Sequence, residues 1–262
     1  MDRQVPLRRP ASPLALFAEQ AMLRRLLVIP TLALLPVTVL AGDHNAAEMA
    51  IRWDPQTAPV ELRSAPAVLD FLAPAQGDRT NEAPDDYILE YYAVGRPETL
   101  PTDVDVIARK RVKNGKKHEL MIKYRSAREL SAIMPTQRWE CPLARHFPGL
   151  PAQTKYETDI SFGAHGNITR LHSLSCTVEA SEPIAFPAAF SPRALGAARK
   201  MQRVAAQQLK IDTLSETDGI GIIEVSSESR DTARQIDAFY ARVALPLIEK
   251  GVVPILSNKS TM

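Results

Sequence analysis

Apolar and polar residues alternate with a period of two along much of this chain, and that pattern predicts mainly strands. The clearest stretch is Val104 to Arg125. Asn114 and Gly115 lie between two alternating runs, and an Asn-Gly pair supplies the positive φ angles of a tight hairpin turn. On the first strand Val104, Val106, Ala108 and Val112 share a face, interrupted by Lys110, while Ile107, Arg109 and Arg111 share the other. On the second, Leu120, Ile122 and Tyr124 oppose Glu119, Met121, Lys123 and Arg125. Four cations therefore fall on one face of adjacent strands. Like charges so placed repel, so either water or an anion must screen them. Both readings stand at this level: a solvated outer face, or a surface for anions such as phosphates.

Further elements follow along the chain. Glu48 to Trp53 reads as a strand, with Glu48, Ala50 and Arg52 on one face and Met49, Ile51 and Trp53 on the other. Ser64 is placed to cap a helix that carries Val68, Leu69, Phe71 and Leu72. Asp86 to Val94 is an aromatic-rich strand, and Ser126 to Met134 a helical turn ended by Pro135. Residues 135–154 hold four prolines and read as an irregular connection. Lys155 to Phe162 and Ile168 to Glu179 read as paired strands. Arg193 to Leu209 is ambiguous: Ala, Arg and Gln favour a helix, yet Val204 to Ile211 also fits a strand. Ile220 to Ser226 predicts a strand with Glu224 on the face of Ile222 and Ser226. Asp231 to Lys250 predicts a helix with a stripe of Ile236, Phe239, Tyr240, Val243, Leu247 and Ile248, closed by Gly251. A short strand, Val252 to Leu256, is expected to end the fold.

Composition narrows the partners. The net charge of the 262 residues is +2. Five of the 32 basic and two of the 30 acidic residues fall in 1–41, leaving 27 basic against 28 acidic from residue 42 onward. A nucleic-acid binder usually carries a basic domain, so no nucleic acid is expected, and any anion site must be local. Arg24 and Arg25 precede an apolar run from Leu26 to Leu40, and Val39 to Ala41 suits cleavage. Residues 1–41 thus read as a signal peptide, or as an N-terminal anchor if uncleaved, with Met1 or Met22 as the start. Residues 42–262 read as a single domain. The expected location is periplasmic or secreted, with membrane contact only through an uncleaved leader. In an exported chain Cys141 and Cys176 suggest one disulfide, with two buried free thiols as the alternative.

The chemistry-bearing residues are carboxylates and cations on strands. No nucleophile elbow, His-Glu-x-x-His motif or Walker loop is present. Glu157 and Asp159 lie two apart on one strand face, a spacing that presents two carboxylates to one divalent cation. Together with the basic hairpin they point to a polar barrel interior.

The order of these features resembles the CYTH superfamily, the triphosphate-tunnel proteins. That family includes inorganic triphosphatases, thiamine-triphosphatases, some adenylate cyclases and the catalytic domain of polyphosphate polymerase. Its motifs run E-x-E-x-K, a Tyr-rich strand, R-x-R followed by L-T-x-K-x-R, an acidic strand, a strand carrying Glu, a helix and a final Ser-Lys. The matching residues are Glu48 to Arg52, Glu90 to Tyr92, Arg109 to Arg111, Leu120 to Arg125, Lys155 to Asp159, Glu224 and Lys259. The first motif departs from the pattern, with Ala50 in place of its second Glu and Arg52 in place of its Lys.

The resemblance implies an α+β fold, an eight-stranded antiparallel β-barrel flanked by helices. It implies phosphate binding by Arg52, Arg109, Arg111, Lys123, Arg125 and Lys259. It implies that Glu48, Glu157, Asp159 and Glu224 hold Mg²⁺ or Mn²⁺. The function expected on that basis is metal-dependent hydrolysis of tripolyphosphate or a similar oligophosphate. The alternative is a non-catalytic module of the same shape that binds a polyanion, such as polyphosphate or an anionic lipid or glycan head group. A structural envelope protein with a merely solvated basic face is a third class.

Overall fold

The computed structural model describes residues 46–76, 83–133, 139–206, 208–216 and 219–256. Residues 1–41, read from sequence as a signal peptide or anchor, and Lys259 lie outside the described residues. Strands β1 (Ala46–Trp53), β2 (Asp85–Ala93), β3 (Asp105–Lys113), β4 (Lys117–Ser126), β5 (Ala152–Phe162), β6 (Ile168–Ala180), β8 (Arg199–Ala206), β9 (Leu209–Glu216) and β10 (Gly219–Arg230) form one sheet. Its order is β3-β4-β6-β5-β1-β10-β9-β8-β2, and β2 pairs back onto β3. The sheet is therefore a closed barrel, which leaves no long edge unpaired. A two-residue strand, β7 (Arg193–Ala194), adds to the end of β2.

Two features correct the eight-stranded antiparallel expectation. Among the described residues nine strands close the barrel, and β1 runs parallel to β5. The additional order comes from the ambiguous stretch. Arg199–Ala206 is a strand, paired with β2 on one side and β9 on the other. Pairing on both edges overrides the helix preference of its Ala, Arg and Gln residues. The parallel pair is permitted because a long stretch of chain separates β1 from β5. Val252 to Leu256, read as a strand, is extended chain that makes one backbone bond to the barrel, Ile255 N–H to Arg52 C=O at 2.8 Å.

The hairpin forms as its sequence predicts. Asn114 and Gly115 have φ of 50° and 66°, and Lys116 N–H closes the turn on Lys113 C=O. Asn114 also reaches across to β2: its side-chain oxygen accepts from Asp86 N–H at 2.7 Å.

Two areas of the barrel's outer surface are apolar and covered. Met49, Ile51 and Trp53 of β1, with Phe162, Ile211, Ile223 and Val225, pack under two helical segments. One is α1 (Ala65–Gln76), where Ser64 Oγ accepts from Ala67 N–H and Val68 and Leu72 face the sheet. The other carries Ile236, Phe239, Val243 and Leu247. It is not one regular helix. Ala233–Phe239 is α-helical, Tyr240–Ala244 is a π-helical turn, and Leu245–Glu249 is α-helical again. Pro246 lacks an N–H to continue the ladder, and the widened turn precedes it. Gly251 (φ 107°) closes the segment as its position predicts.

The second cover lies over the hairpin's apolar face, where Val104, Ala108, Leu120, Ile122 and Tyr124 join Leu174, Cys176 and Val178 of β6. Packing by the flanking helices is the simplest expectation there, and the structure corrects it. The cover is made mainly by the proline-rich connections, after one helical turn at Leu130–Ile133: Leu130, Cys141, Leu143 and Phe186 pack on the strands, with Trp139 edge-on to Tyr124. Irregular chain has no ladder of its own to hold it in place. Here it is stapled, because Cys141 is disulfide-bonded to Cys176 on β6, with Cα atoms 5.2 Å apart.

Closing a 35-residue separation stabilises by about 3–4 kcal/mol in the chain-entropy model. Cys141→Ala with Cys176→Ala should lower unfolding free energy by that order in urea titrations. An unchanged midpoint would show that the apolar contacts alone hold the connection.

Candidate functional site

Strand alternation turns one side of every barrel strand inward, and here much of that side is charged. The hairpin presents Arg109, Arg111, Glu119, Lys123 and Arg125 to a cavity of about 390 Å³. Glu48 and Arg52 from β1, Glu157 from β5 and Glu224 from β10 line the same cavity. Asp159 adjoins it, with both carboxylate oxygens 3.1 Å from Lys123 Nζ. The basic face of the hairpin therefore points into the barrel. Of the site residues named from sequence, Lys259 alone lies outside the described residues.

Enclosed charges need partners, since an isolated buried ion costs several kcal/mol or more. The structure supplies them in chains. Lys123 sits between Glu157 (3.1 Å) and Asp159, and Arg125 donates to Asp159 at 2.7 Å. Lys155 bridges Glu157 (2.5 Å) and Glu228 (3.5 Å), and Lys210 meets Glu228 at 2.6 Å. Arg109 donates to Glu119 at 2.9 Å, and Arg111 holds the other oxygen of the same carboxylate. Arg52 pairs with Glu224 and donates to Ser161 Oγ at 2.7 Å. Arg203 grips Asp212 with two bonds of 2.7 and 2.8 Å, and its guanidinium also stacks over Tyr87.

The lining retains a cationic excess. Eight Arg and Lys residues line the cavity against five carboxylates, with Asp159 and Asp212 adjoining. The Nε atoms of Arg109 and Arg125 are buried and find no hydrogen-bond partner among the described residues. Proton affinities reflect the same crowding. Burial and the adjacent Arg109 hold Arg111 below its ordinary value. Burial opposes the charge on Arg203 and on Arg52, but Asp212 and Glu224 respectively more than offset it, and both lie above the ordinary value. Lys155 is likewise raised, burial being outweighed by Glu157. Glu228 lies below the ordinary carboxylate value, because Lys210 and Lys155 outweigh its burial.

Within this lattice Glu48, Glu157 and Asp159 form a cluster whose carboxylate oxygens lie within 4.8 Å of one another. The parallel pairing of β1 with β5 places Glu48 directly beside Asp159. Three hard oxygen donors at this spacing fit Mg²⁺ or Mn²⁺. Glu224 is not part of the cluster; it faces Arg52 instead. Ala50, which alternation places between Glu48 and Arg52, adds no ligand.

Sequence reasoning did not select five of the charged lining residues. Lys155 is in phase with Glu157 and was readable by the same two-residue step. Glu119 stands in phase with Lys123, but a lone acid among cations gave no sign of gripping two arginines. Arg203 and Lys210 were hidden by the ambiguity of β8 and β9, as was Asp212 behind them. Glu228 falls beyond the expected end of β10.

Asp212 is 1% exposed. Arg203→Leu removes its bidentate partner and should cost about 3–5 kcal/mol of stability. Adding Asp212→Leu should recover most of that loss. Urea denaturation of both variants measures it, and equal losses in the two would contradict the pairing argument.

Comparison with known proteins adds little. No family model matches the sequence, and no curated protein matches it. Among solved structures, the chain is similar to one titled as the PH1819 protein from Pyrococcus horikoshii OT3, with a TM-score of 0.40 and 13% identity over 80% of this chain and 94% of that one.

Proposed function

We propose that the chamber binds an oligophosphate and, with Mg²⁺ or Mn²⁺ held by Glu48, Glu157 and Asp159, hydrolyses a phosphoanhydride bond. Tripolyphosphate is the simplest such substrate. The observation that carries this reading is the meeting of a cationic wall and a three-carboxylate cluster inside one closed barrel. The motif order that resembles the CYTH superfamily supports it, although membership rests on that resemblance alone. The leader-like sequence and the disulfide support an oxidising, extracytoplasmic setting.

The roles follow from position. Arg109, Arg111, Lys123 and Arg125 neutralise phosphate oxygens and stabilise the charge that shifts to the leaving phosphate. Arg52, oriented by Glu224 and Ser161, extends that wall, and Lys259 is assigned to it by motif order. Glu48, Glu157 and Asp159 would hold a divalent ion, which when bound would supply Lewis-acid chemistry. Hydrolysis adds one water across one P–O–P linkage: one P–O bond forms, one breaks, and the two hydrogens of the water end on the product phosphates or in solvent. Enclosure strengthens each of these interactions by excluding bulk water.

A second reading is a non-catalytic polyanion-binding module, and two observations favour it. Ala50 removes a carboxylate from the inward face of β1. Lys123 already sits against Glu157 and Asp159, so a metal must compete with its ammonium group.

Phosphate release from tripolyphosphate, with and without Mg²⁺ or Mn²⁺, tests the proposal beside a calorimetric binding measurement. Metal-dependent release is expected, and Glu157→Gln with Asp159→Asn should lower it by about 10²–10³-fold. Binding without release would establish the second reading. Neither would leave the charged lattice a structural feature only.

A further inference from the structure

Lys123 is assigned above to the phosphate wall, yet its donors are spent elsewhere. We infer that its ammonium group holds the place of the divalent ion, so that metal and oligophosphate bind together: Lys123 leaves the carboxylates when an ion replaces it there, and turns to the phosphate. This rests on the metal-dependent oligophosphate reading above.

The argument starts from a count of donors. A lysine ammonium has three N–H groups and no more. Lys123 Nζ lies 3.1 Å from Glu157 Oε1 and 3.1 Å from each carboxylate oxygen of Asp159. All three donors are therefore engaged by the carboxylate cluster, and the side chain is 9% exposed. In this state Lys123 has nothing left to offer a phosphate. It also occupies oxygens that a hard divalent ion would need.

The strands leave it room to change partners. Lys123 is on β4 and the acids are on β5, with β6 between them. Its side chain reaches across because the inward residues of β6 are small. Ser175 stands between Lys123 and Lys155, and Ser173 between Arg125 and Glu157. On its other side Lys123 pairs with Ile107 of β3, and Ile107 and Ser175 both line the open cavity. Rotation about its flexible four-carbon stem carries the ammonium from β5 into that space.

Charge decides when it turns. Glu48, Glu157 and Asp159 are matched by Lys123, Lys155 and Arg125. Departure of Lys123 alone would strip counter-charge from buried carboxylates, which is strongly unfavourable. A divalent ion restores that counter-charge, but adds to a lining where cations already outnumber acids. An oligophosphate removes the excess and takes up the freed ammonium. Each ligand alone leaves charge unbalanced, and the two together do not. By linkage each raises the affinity of the other by the same factor.

A second buried group points to an ion at this place. Ser226 is 1% exposed, and its Oγ finds no hydrogen-bond partner among the described residues. Alternation sets it on the inward face of β10 between Glu224 and Glu228, paired with Ala50, the next inward position after Glu48 on β1. A spare hydroxyl oxygen there suits the ligand shell of a hard cation, directly or through water.

Mn²⁺ binding is measured by electron paramagnetic resonance on the full chain, on Lys123→Met and on Arg111→Met. Each variant loses one lining cation, but Arg111 pairs with Glu119, outside the cluster. Lys123→Met should bind Mn²⁺ at least about tenfold more tightly than the unaltered chain, and Arg111→Met should gain far less. Equal gains would overturn the inference, because loss of any lining cation would then suffice. On the unaltered chain, trace acetylation read by peptide mass spectrometry follows Lys123 directly. Its amine should react faster once Mn²⁺ is bound, and be protected again when tripolyphosphate is added. Reactivity at Lys123 unmoved by bound Mn²⁺ would overturn the inference and leave the oligophosphate reading standing. Absence of Mn²⁺ binding in all three proteins is a separate outcome; it removes the metal-dependent reading and this inference with it.

Discussion

Charges enclosed in a β-barrel must find counter-charges, because each ion taken out of water loses hydration worth several kcal/mol. That constraint organises this protein's interior. Lys123 lies between Glu157 and Asp159, Glu119 between Arg109 and Arg111, and Glu228 between Lys155 and Lys210. Each bridging group touches two partners, so removing one member disturbs a chain rather than a pair. Cations still outnumber carboxylates on the lining. On the proposed reading, an entering anion would complete a lattice whose side chains are already ordered in folding.

The outside of the barrel is arranged so that the inside can be charged. Lys110 apart, the inward cations on the hairpin alternate with outward apolar residues, and those residues need a dry cover. On one side helices provide it, with Phe162 stacked on Phe239 at 5.2 Å. Over the hairpin the cover is irregular, proline-rich chain, fixed by the Cys141–Cys176 bond. The disulfide holds down the layer against which Leu120, Ile122 and Tyr124 pack, on the face of β4 opposite Lys123 and Arg125.

Much of this was legible in the sequence, and the limits have physical causes. Strand phase is local, so the inward set Arg109, Arg111, Lys123 and Arg125 could be read from alternation alone. Glu157 and Asp159 were readable by the same step. Pairing between distant strands leaves no local trace. The parallel β1–β5 contact sets Glu48 beside Asp159 across more than a hundred residues, and it accounts for part of the departure from an antiparallel barrel. Composition misled where tertiary pairing decided, as in β8, so Arg203 and its partner Asp212 were missed. The cover over the hairpin was also invisible, because loop packing has no periodicity to detect.

The central claim is that the charged chamber is a binding site and not only a self-neutralised core. A crystal structure of the protein with tripolyphosphate and Mn²⁺ tests it most directly, since the anomalous signal of manganese locates the ion. The account predicts manganese on the oxygens of Glu48, Glu157 and Asp159, with phosphate against Lys123 and Arg125. A chamber holding neither ion nor phosphate, with Lys123 still on Glu157 and Asp159, would contradict it.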